Sequence, residues 1–369
     1  MEFTETPFIY AHVENPMLFK ISTATPEKVI LCVTVLGEPY YLVFYPTYNS
    51  SGNNYTIGFD LSSFFKPFFE DKSVMILGYS IALNPENTLY GAAIRGGISK
   101  RLFLQLKKID SEIFSYRLLS SARQFLLTTR TQQNTINLRD SEFRYINFFR
   151  DPNYPVTISA RGVANEVFAA GDMQLITFDA RQWLGATPAS EITITKNTLV
   201  CKIKLTAETS ENKLLLMFRN SLGIFEHFIL TGKGNETTSF ESDNISVYDP
   251  SYGDFQKFKE RSVATEGIEI ESGYKGREEL NFIKDLIGSD EVYVITDAER
   301  IPCRVTTKDL SIPRVITTPQ SISLKIEFAD EQINYTDDLP VLVESVPPVI
   351  DDDLLLTPDG YAVLTYIRV

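Results

Sequence analysis

The residues able to do chemistry in this 369-residue chain are few and scattered. Its two histidines, His12 and His227, sit in unrelated contexts, and neither has a ligand or nucleophile at a useful spacing. Metal centres need several donors at short spacing, and a general base needs a partner within hydrogen-bond reach. Both histidines therefore read as structural or surface residues. Cys32, Cys201 and Cys303 each lie in an apolar, strand-like run. They read as buried structural thiols in a protein made in a reducing compartment, because free cysteine packs like a small hydrophobe. Carboxylates are abundant, so an acid pair for glycoside hydrolysis fits the composition, but no spacing singles one out. The run Asp351–Asp353 offers oxygen ligands without the alternating spacing of a calcium loop, and reads as a solvated turn. Gly91–Gly97 lacks the Gly-Lys-Ser/Thr ending of a phosphate cradle and reads as a glycine-rich linker making a turn or a close backbone approach. There is no Gly-x-Ser-x-Gly elbow. The sequence assigns no catalytic, cofactor-binding or metal-ligating residue, implies no cofactor, and points away from an enzyme.

Composition sets what must position these residues. With 25 Phe, 18 Tyr and a single Trp, the chain favours strands and half-buried sheet faces. At 43% hydrophobic residues it has enough apolar material for sizeable cores. A net charge of −13 argues against a nucleic-acid partner or an anionic membrane surface. The opening Met-Glu-Phe-Thr-Glu-Thr-Pro-Phe shows no basic and then apolar stretch, so the expectation is a chain that is not exported by a secretory signal.

Short alternating segments predict strands at Leu18–Ile21, Val29–Leu36, Tyr40–Tyr45, Tyr55–Phe59, Val74–Leu83, Gly97–Lys107 and Phe114–Tyr116. Asp60–Pro67 reads as one helical turn, capped by Asp60 and stopped by Pro67. Leu118–Thr129 suits helix and strand equally. Arg150–Pro155 reads as a domain boundary, with two prolines among turn formers. Beyond it, strands are expected at Val156–Arg161, Val167–Ala169, Gln174–Asp179, Glu191–Thr195, Leu199–Leu205 and Leu214–Arg219, with Trp183 as a core plug. Asp60 and Asp179 both follow a β-rich run and read as turn caps. Asp249–Asp254 reads as a turn-rich joint. Arg277–Ile287 is the clearest helix, with Leu280, Ile283, Leu286 and Ile287 on one stripe and Gly288 as its stop. Strands follow at Glu291–Thr296, Arg300–Thr306 and Ser321–Phe328, and the tail closes on Tyr361–Val369.

The expected architecture is mainly β, with β-sandwich-like modules and a small α+β module near the C-terminus. The expected divisions are an N-terminal β region of one or two modules over 1–150, a sandwich-like domain over 151–250, a one-helix α+β module over 251–340, and a C-terminal extension over 341–369.

Met217–Lys233 has the pattern of strand, tight Asn-Ser-Leu-Gly turn and aromatic strand. This segment resembles tail-associated structural proteins carried by phages and prophages of Bacteroides-like bacteria. In those proteins an Asn-x-x-Gly turn is followed by an aromatic strand and Thr-Gly-Lys or Thr-Gly-Arg. The matching positions are Asn220, Gly223, Phe225, Phe228, Thr231, Gly232 and Lys233, with Ile224-Phe225 where the family usually places Trp or another aromatic. The order continues with Arg261 opening a strand, Gly273-Tyr274, Ser289–Tyr293, Ile301–Val305 and Ile326–Asp330. Upstream it includes Asn15–Phe19, Phe44–Pro46 and Asp60–Ser62.

The resemblance implies a non-catalytic virion part at the distal tail or baseplate, made in the host cytoplasm. Its implied partners are other tail proteins and further copies of itself, with ring symmetry as the default. The alternative is a carbohydrate-binding or adhesion module, which leaves a glycan ligand open. A hydrolase with a carboxylate pair is the third reading.

Overall fold

The computed structural model describes residues 1–6, 10–49, 54–71, 73–84, 87–100, 103, 126–130, 135–139, 142, 145–151, 153–171, 174–179, 191–207, 209–210, 213–296, 300–311, 319–332, 355–356 and 362–363. Among the described residues it is mainly β, with several sheets and, besides a 3-10 turn, the helices Ser62–Phe65 and Arg277–Ile287. The chain divides into two compact units. One comprises 1–137, 144–205 and 220–224, and the other 138–143, 206–219 and 225–369.

The first unit opens as a β-sandwich. One sheet runs Tyr10–His12, Asn87–Ile94, Ile76–Asn84, Val29–Val35, Glu38–Phe44, and its first pair is parallel. The other runs Glu2–Glu5, Leu18–Thr23, Asn54–Asp60, Thr47–Asn49. Strict alternation explains the pairing. In Val29–Val35 the residues Val29, Leu31, Val33 and Val35 are buried while Ile30, Cys32 and Thr34 turn outward. They meet Phe19, Ile21 and Ile57 of the facing sheet in one core. Phe59 stacks between Phe19 and Phe44 at 5.3 and 4.5 Å, the offset contact that aromatic rings favour.

The N-cap is Leu61 and not Asp60, which ends the preceding strand; the Asp60 carboxylate still accepts from Ser62 N at 2.9 Å, and also from Met17 N. Pro67, expected to stop the helix, instead sits in a 3-10 turn Lys66–Phe69 that continues Ser62–Phe65. Proline needs no N–H donor in the first turn of a helix, so it is tolerated there.

A third sheet runs Thr135–Arg139, Leu199–Thr206, Glu191–Lys196, Val156–Ala160, Glu166–Phe168. The hairpin-like pair Tyr145–Phe149 and Leu175–Asp179 lies against it through Phe148, Phe168 and Phe178, whose rings meet edge to face.

The second unit is built on a seven-stranded antiparallel sheet. Its order is Phe225–Leu230, Leu214–Arg219, Val292–Ile295, Arg300–Val305, Ser323–Gln332, Asp254–Glu271, Gly234–Asp249. Helix Arg277–Ile287 covers one face with Leu280, Phe282, Ile283 and Leu286, which join Leu216, Phe218 and Phe228 in the core. Phe282 is the buried residue that the three-and-four spacing missed; it contacts Phe218 and Phe228 at 5.1 and 5.8 Å. Gly288 ends the helix as expected, but in right-handed geometry (φ −83°), so it is not a left-handed cap.

Three other expectations are corrected. Gly91–Ile94 belongs to a strand, not a linker. The turn Asp249–Asp254 is the tip of a long hairpin and not a joint, because the strands on its two sides pair along their whole length. Arg261 lies inside the strand Asp254–Glu271 and does not open one. Most of Gly97–Lys107 and Leu118–Thr129, all of Phe114–Tyr116, Trp183 and Asp351–Asp353, and Tyr361–Val369 apart from Ala362–Val363 lie outside the described residues.

Candidate interaction surfaces

The structure does not gather the reactive residues singled out in the sequence into one site. His12 is buried, its Nδ1 within 3.1 Å of Arg95 O, and burial pulls its pKa below the ordinary value against that hydrogen bond. His227 is buried in its own strand, opposite Met217. Cys201 and Cys303 are buried, and desolvation pushes their thiols up to about 11 and about 12. Cys32 departs from the expectation: it is half-buried on the outer face of its sheet. Among the described residues, no cluster of three or more His, Cys, Asp or Glu is placed to hold a metal ion. Among the described residues no helix is long and apolar enough to cross a membrane.

Several buried polar pairs are structural. Lys196 Nζ meets Asp151 Oδ2 at 2.7 Å with both side chains buried, and Asp151 also accepts from the N–H groups of Asn153 and Tyr154. In the second unit Arg219 Nε donates to Glu291 Oε2 at 2.8 Å and stacks its guanidinium 4.3 Å from the Phe225 ring centroid. Tyr293 OH donates to the other oxygen of Glu291. Burial first, and that hydrogen bond second, raise the Tyr293 pKa. Charge-assisted bonds of this kind hold strands in register when water is excluded.

The Asn220–Ile224 turn belongs to the first unit. Asn220 closes it with its side chain, accepting from Ile224 N at 3.0 Å, and its backbone exchanges bonds with Ile224 and Gly223. Gly223 adopts φ +86°. Gly97 N donates to Ser221 O at 2.7 Å, and a Cβ on Gly96 (φ +80°) would run into the Ser221 carbonyl. The Gly96-Gly97 pair thus makes the close backbone approach that the sequence suggested. Arg95 fixes its other side by donating to the carbonyls of Phe69, Asp71 and Val74.

Two surfaces stand out that no contact among the described residues covers. The first is the distal part of the hairpin Gly234–Asp249 and Asp254–Glu271. Strand Ser323–Gln332 pairs with the second of these strands only over Ala264–Glu271. Beyond that point nine residues of the first strand, Glu241–Asp249, continue as a two-stranded arm, roughly 30 Å at the usual rise per residue. Both faces of the arm carry exposed apolar side chains: Tyr248 and Phe255 on one, Ile245, Val247 and Phe258 on the other. Sequence reading missed this because a proline-glycine turn and charged flanks look the same in a domain joint and a hairpin tip. The usable signal was the alternation of Phe, Ile, Val and Tyr with polar residues on both sides of the turn.

The second surface is the outer face of the first sheet. Ile30 pairs with Val43 and Cys32 with Tyr41 on its edge strand, while Tyr90 pairs with Ser80 toward the other side. Tyr41 and Tyr90 are 67% and 76% exposed, and the residues between them are the smaller Cys32, Thr34, Ser80 and Ala82. Two exposed rings thus flank a floor of smaller side chains.

Comparison with known proteins yields little. No family model matches, and no curated protein matches. Among solved structures, one concerned with host cell surface retention of a 1.5-MDa bacterial ice-binding adhesin aligns over 73% of this chain and 90% of its own, at 7% identity and a TM-score of 0.15. Another, Dpr2 Ig1-Ig2 in complex with DIP-Theta Ig1-Ig3, aligns over 89% of this chain and 88% of its own, at 8% identity and a TM-score of 0.17. At such scores neither match informs the fold or the function of this chain.

Proposed function

We propose that this chain is a non-catalytic structural subunit of a phage or prophage tail, at the distal tail or baseplate, that acts by assembling with copies of itself and with other tail proteins. The observation that carries the reading is the arm. A two-stranded ribbon with exposed apolar side chains on both faces is marginal alone in water and is a liability unless a neighbour covers it. Its place in a chain of net charge −13 suits a part that stays soluble until it meets its partners. The order of motifs around Asn220–Lys233 supports the tail assignment. The test is peptide mass spectrometry of phage-like particles induced from the source culture. The chain should appear in stoichiometric amounts with tail proteins, and particles that hold tail proteins but lack it would overturn the assignment.

A second reading, a carbohydrate-binding or adhesion module, is favoured by the exposed rings of Tyr41 and Tyr90 on one sheet face, since sugar rings stack on exposed aromatics. A glycan array on the intact chain decides it: binding abolished by Tyr41→Ala or Tyr90→Ala supports the module, and an array without signal removes it.

A further inference from the structure

The two faces of the arm differ in charge as well as in shape. Side chains alternate along a strand and directly paired residues share a face, so the register assigns them. One face carries Tyr248, Phe255 and Lys257 with Ser242, Asn244 and Ser246, and has no carboxylate among the described side chains. Among the described side chains, the other carries Ile245, Val247 and Phe258 together with the carboxylates of Glu241, Asp243, Asp249 and Asp254. At the tip, Asp249 also accepts from Ser251 N and Asp254 from Phe255 N.

We infer that the arm is a self-association element in which the Tyr248–Phe255–Lys257 face of one copy packs on the Ile245–Val247–Phe258 face of the next. The inference rests on the reading of the arm as an assembly element and names its partner, a second copy of this chain. Three considerations select this contact. Packing two acidic faces together would oppose two sets of four carboxylates, and like charges in juxtaposition repel. Pairing copies edge to edge along Gly234–Asp249 would satisfy backbone groups but leave the apolar side chains of both faces in water. Stacking unlike faces buries both apolar sets and sets Lys257 and the hydroxyl and amide donors against the carboxylates. A contact between two different faces is heterologous, so each copy can bind two neighbours, and the array closes as a ring or runs on as a filament.

The test uses the full chain in two variants and analytical ultracentrifugation. Phe255→Glu with Lys257→Glu disables the first face; Val247→Thr with Phe258→Thr disables the second while keeping strand preference. Wild type should form assemblies larger than a dimer. Each variant alone should sediment as a monomer, with association weakened at least tenfold. Mixed, the two variants retain one intact pair of unlike faces and should give a one-to-one heterodimer and nothing larger.

A wild-type chain that stays monomeric to its solubility limit overturns the inference. So does persistence of assembly in both variants, which places the contact on another surface. Loss in only one variant with no heterodimer on mixing also overturns it, because that is the mark of like faces pairing. If a variant loses the wild-type thermal melt, Tyr248→Thr and Ile245→Thr on the same faces carry the same mixing test. Sedimentation tests the contact and the particle assay tests membership of a tail, so either can fail without the other.

Discussion

Tyr248 and Phe255 face each other across the last rungs of the arm, ring centroids 5.3 Å apart and edge to face, yet they are 52% and 66% exposed. The contact clips the hairpin together near its tip but leaves most of both rings in water. An aromatic pair is worth about 0.5–1.5 kcal/mol beyond area burial. That is enough to bias a two-stranded ribbon toward its paired form and too little to make it rigid.

Hydrogen exchange should therefore split the hairpin at the point where the third strand ends. In dilute solution, amides of Ala264–Glu271, flanked by Ser323–Gln332, should exchange slowly, and amides of Glu241–Asp249 and Asp254–Val263 much faster. Uniform slow exchange along both strands of a monomer would mean that the arm is held by contacts other than its own pairing.

The buried pair Asp151 and Lys196 ties stability to pH. Burial disfavours the Asp151 carboxylate, but the hydrogen bond from Lys196 and those from Asn153 N and Tyr154 N outweigh it and hold its pKa below the ordinary 3.8. A lowered acid pKa stabilises the fold at neutral pH, and that contribution is lost as pH falls below 3.8 toward the folded-state value. His12 works at a higher pH. Burial lowers its pKa from 6.5, so the native state resists the proton and stability begins to fall below pH 6.5. Asp151→Asn should cost about 1.5–3 kcal/mol by removing the charge-assisted hydrogen bond from Lys196. Denaturant melts over a pH series check both; a His12→Asn chain should lose the part of the slope just below pH 6.5.

Gly96→Ala should destabilise the first unit by more than about 1 kcal/mol, since alanine is strained at φ +80° and its Cβ meets the Ser221 carbonyl. Gly162→Ala, at φ +82° with open space around it, should cost less. Equal losses in thermal melts of the two variants would show that the close approach to Ser221 adds nothing to the backbone strain.

The three thiols should differ in reactivity. The buried Cys201 and Cys303, with pKa values pushed up to about 11 and about 12, are almost wholly protonated near neutral pH, and the thiolate is the reactive form. Titration with a disulfide reagent on the native chain should modify Cys32 first and the other two only on unfolding. Fast modification of two or three thiols in the folded protein would contradict the packing described around Cys201 and Cys303.

Much of the fold was legible because alternation and stripe are local. Val29–Val35 announces one buried face through its own residue types, and helix Arg277–Ile287 carries its bounds in its spacing. What was not legible depends on which strand lies beside which. Phe282 falls off the stripe, yet it is buried because Phe218 and Phe228 arrive from a distant hairpin. Cys32 sits in an apolar run but points to the outer face, where its neighbours are Tyr41 and Ala82. The arm was misread as a joint because exposed aromatics on a two-stranded ribbon follow from the end of the third strand near Gln332, which local composition does not encode.

The central claim is that this chain enters a tail assembly by way of its arm. The most direct measurement is quantitative peptide mass spectrometry of induced particles from two cultures, one carrying the wild-type chain and one carrying the Phe255→Glu, Lys257→Glu chain. The account predicts the wild-type chain in fixed ratio to tail proteins and the variant depleted at least tenfold from particles while still present in the lysate. Tail-bearing particles without the wild-type chain, or with the variant at the wild-type ratio, would contradict it.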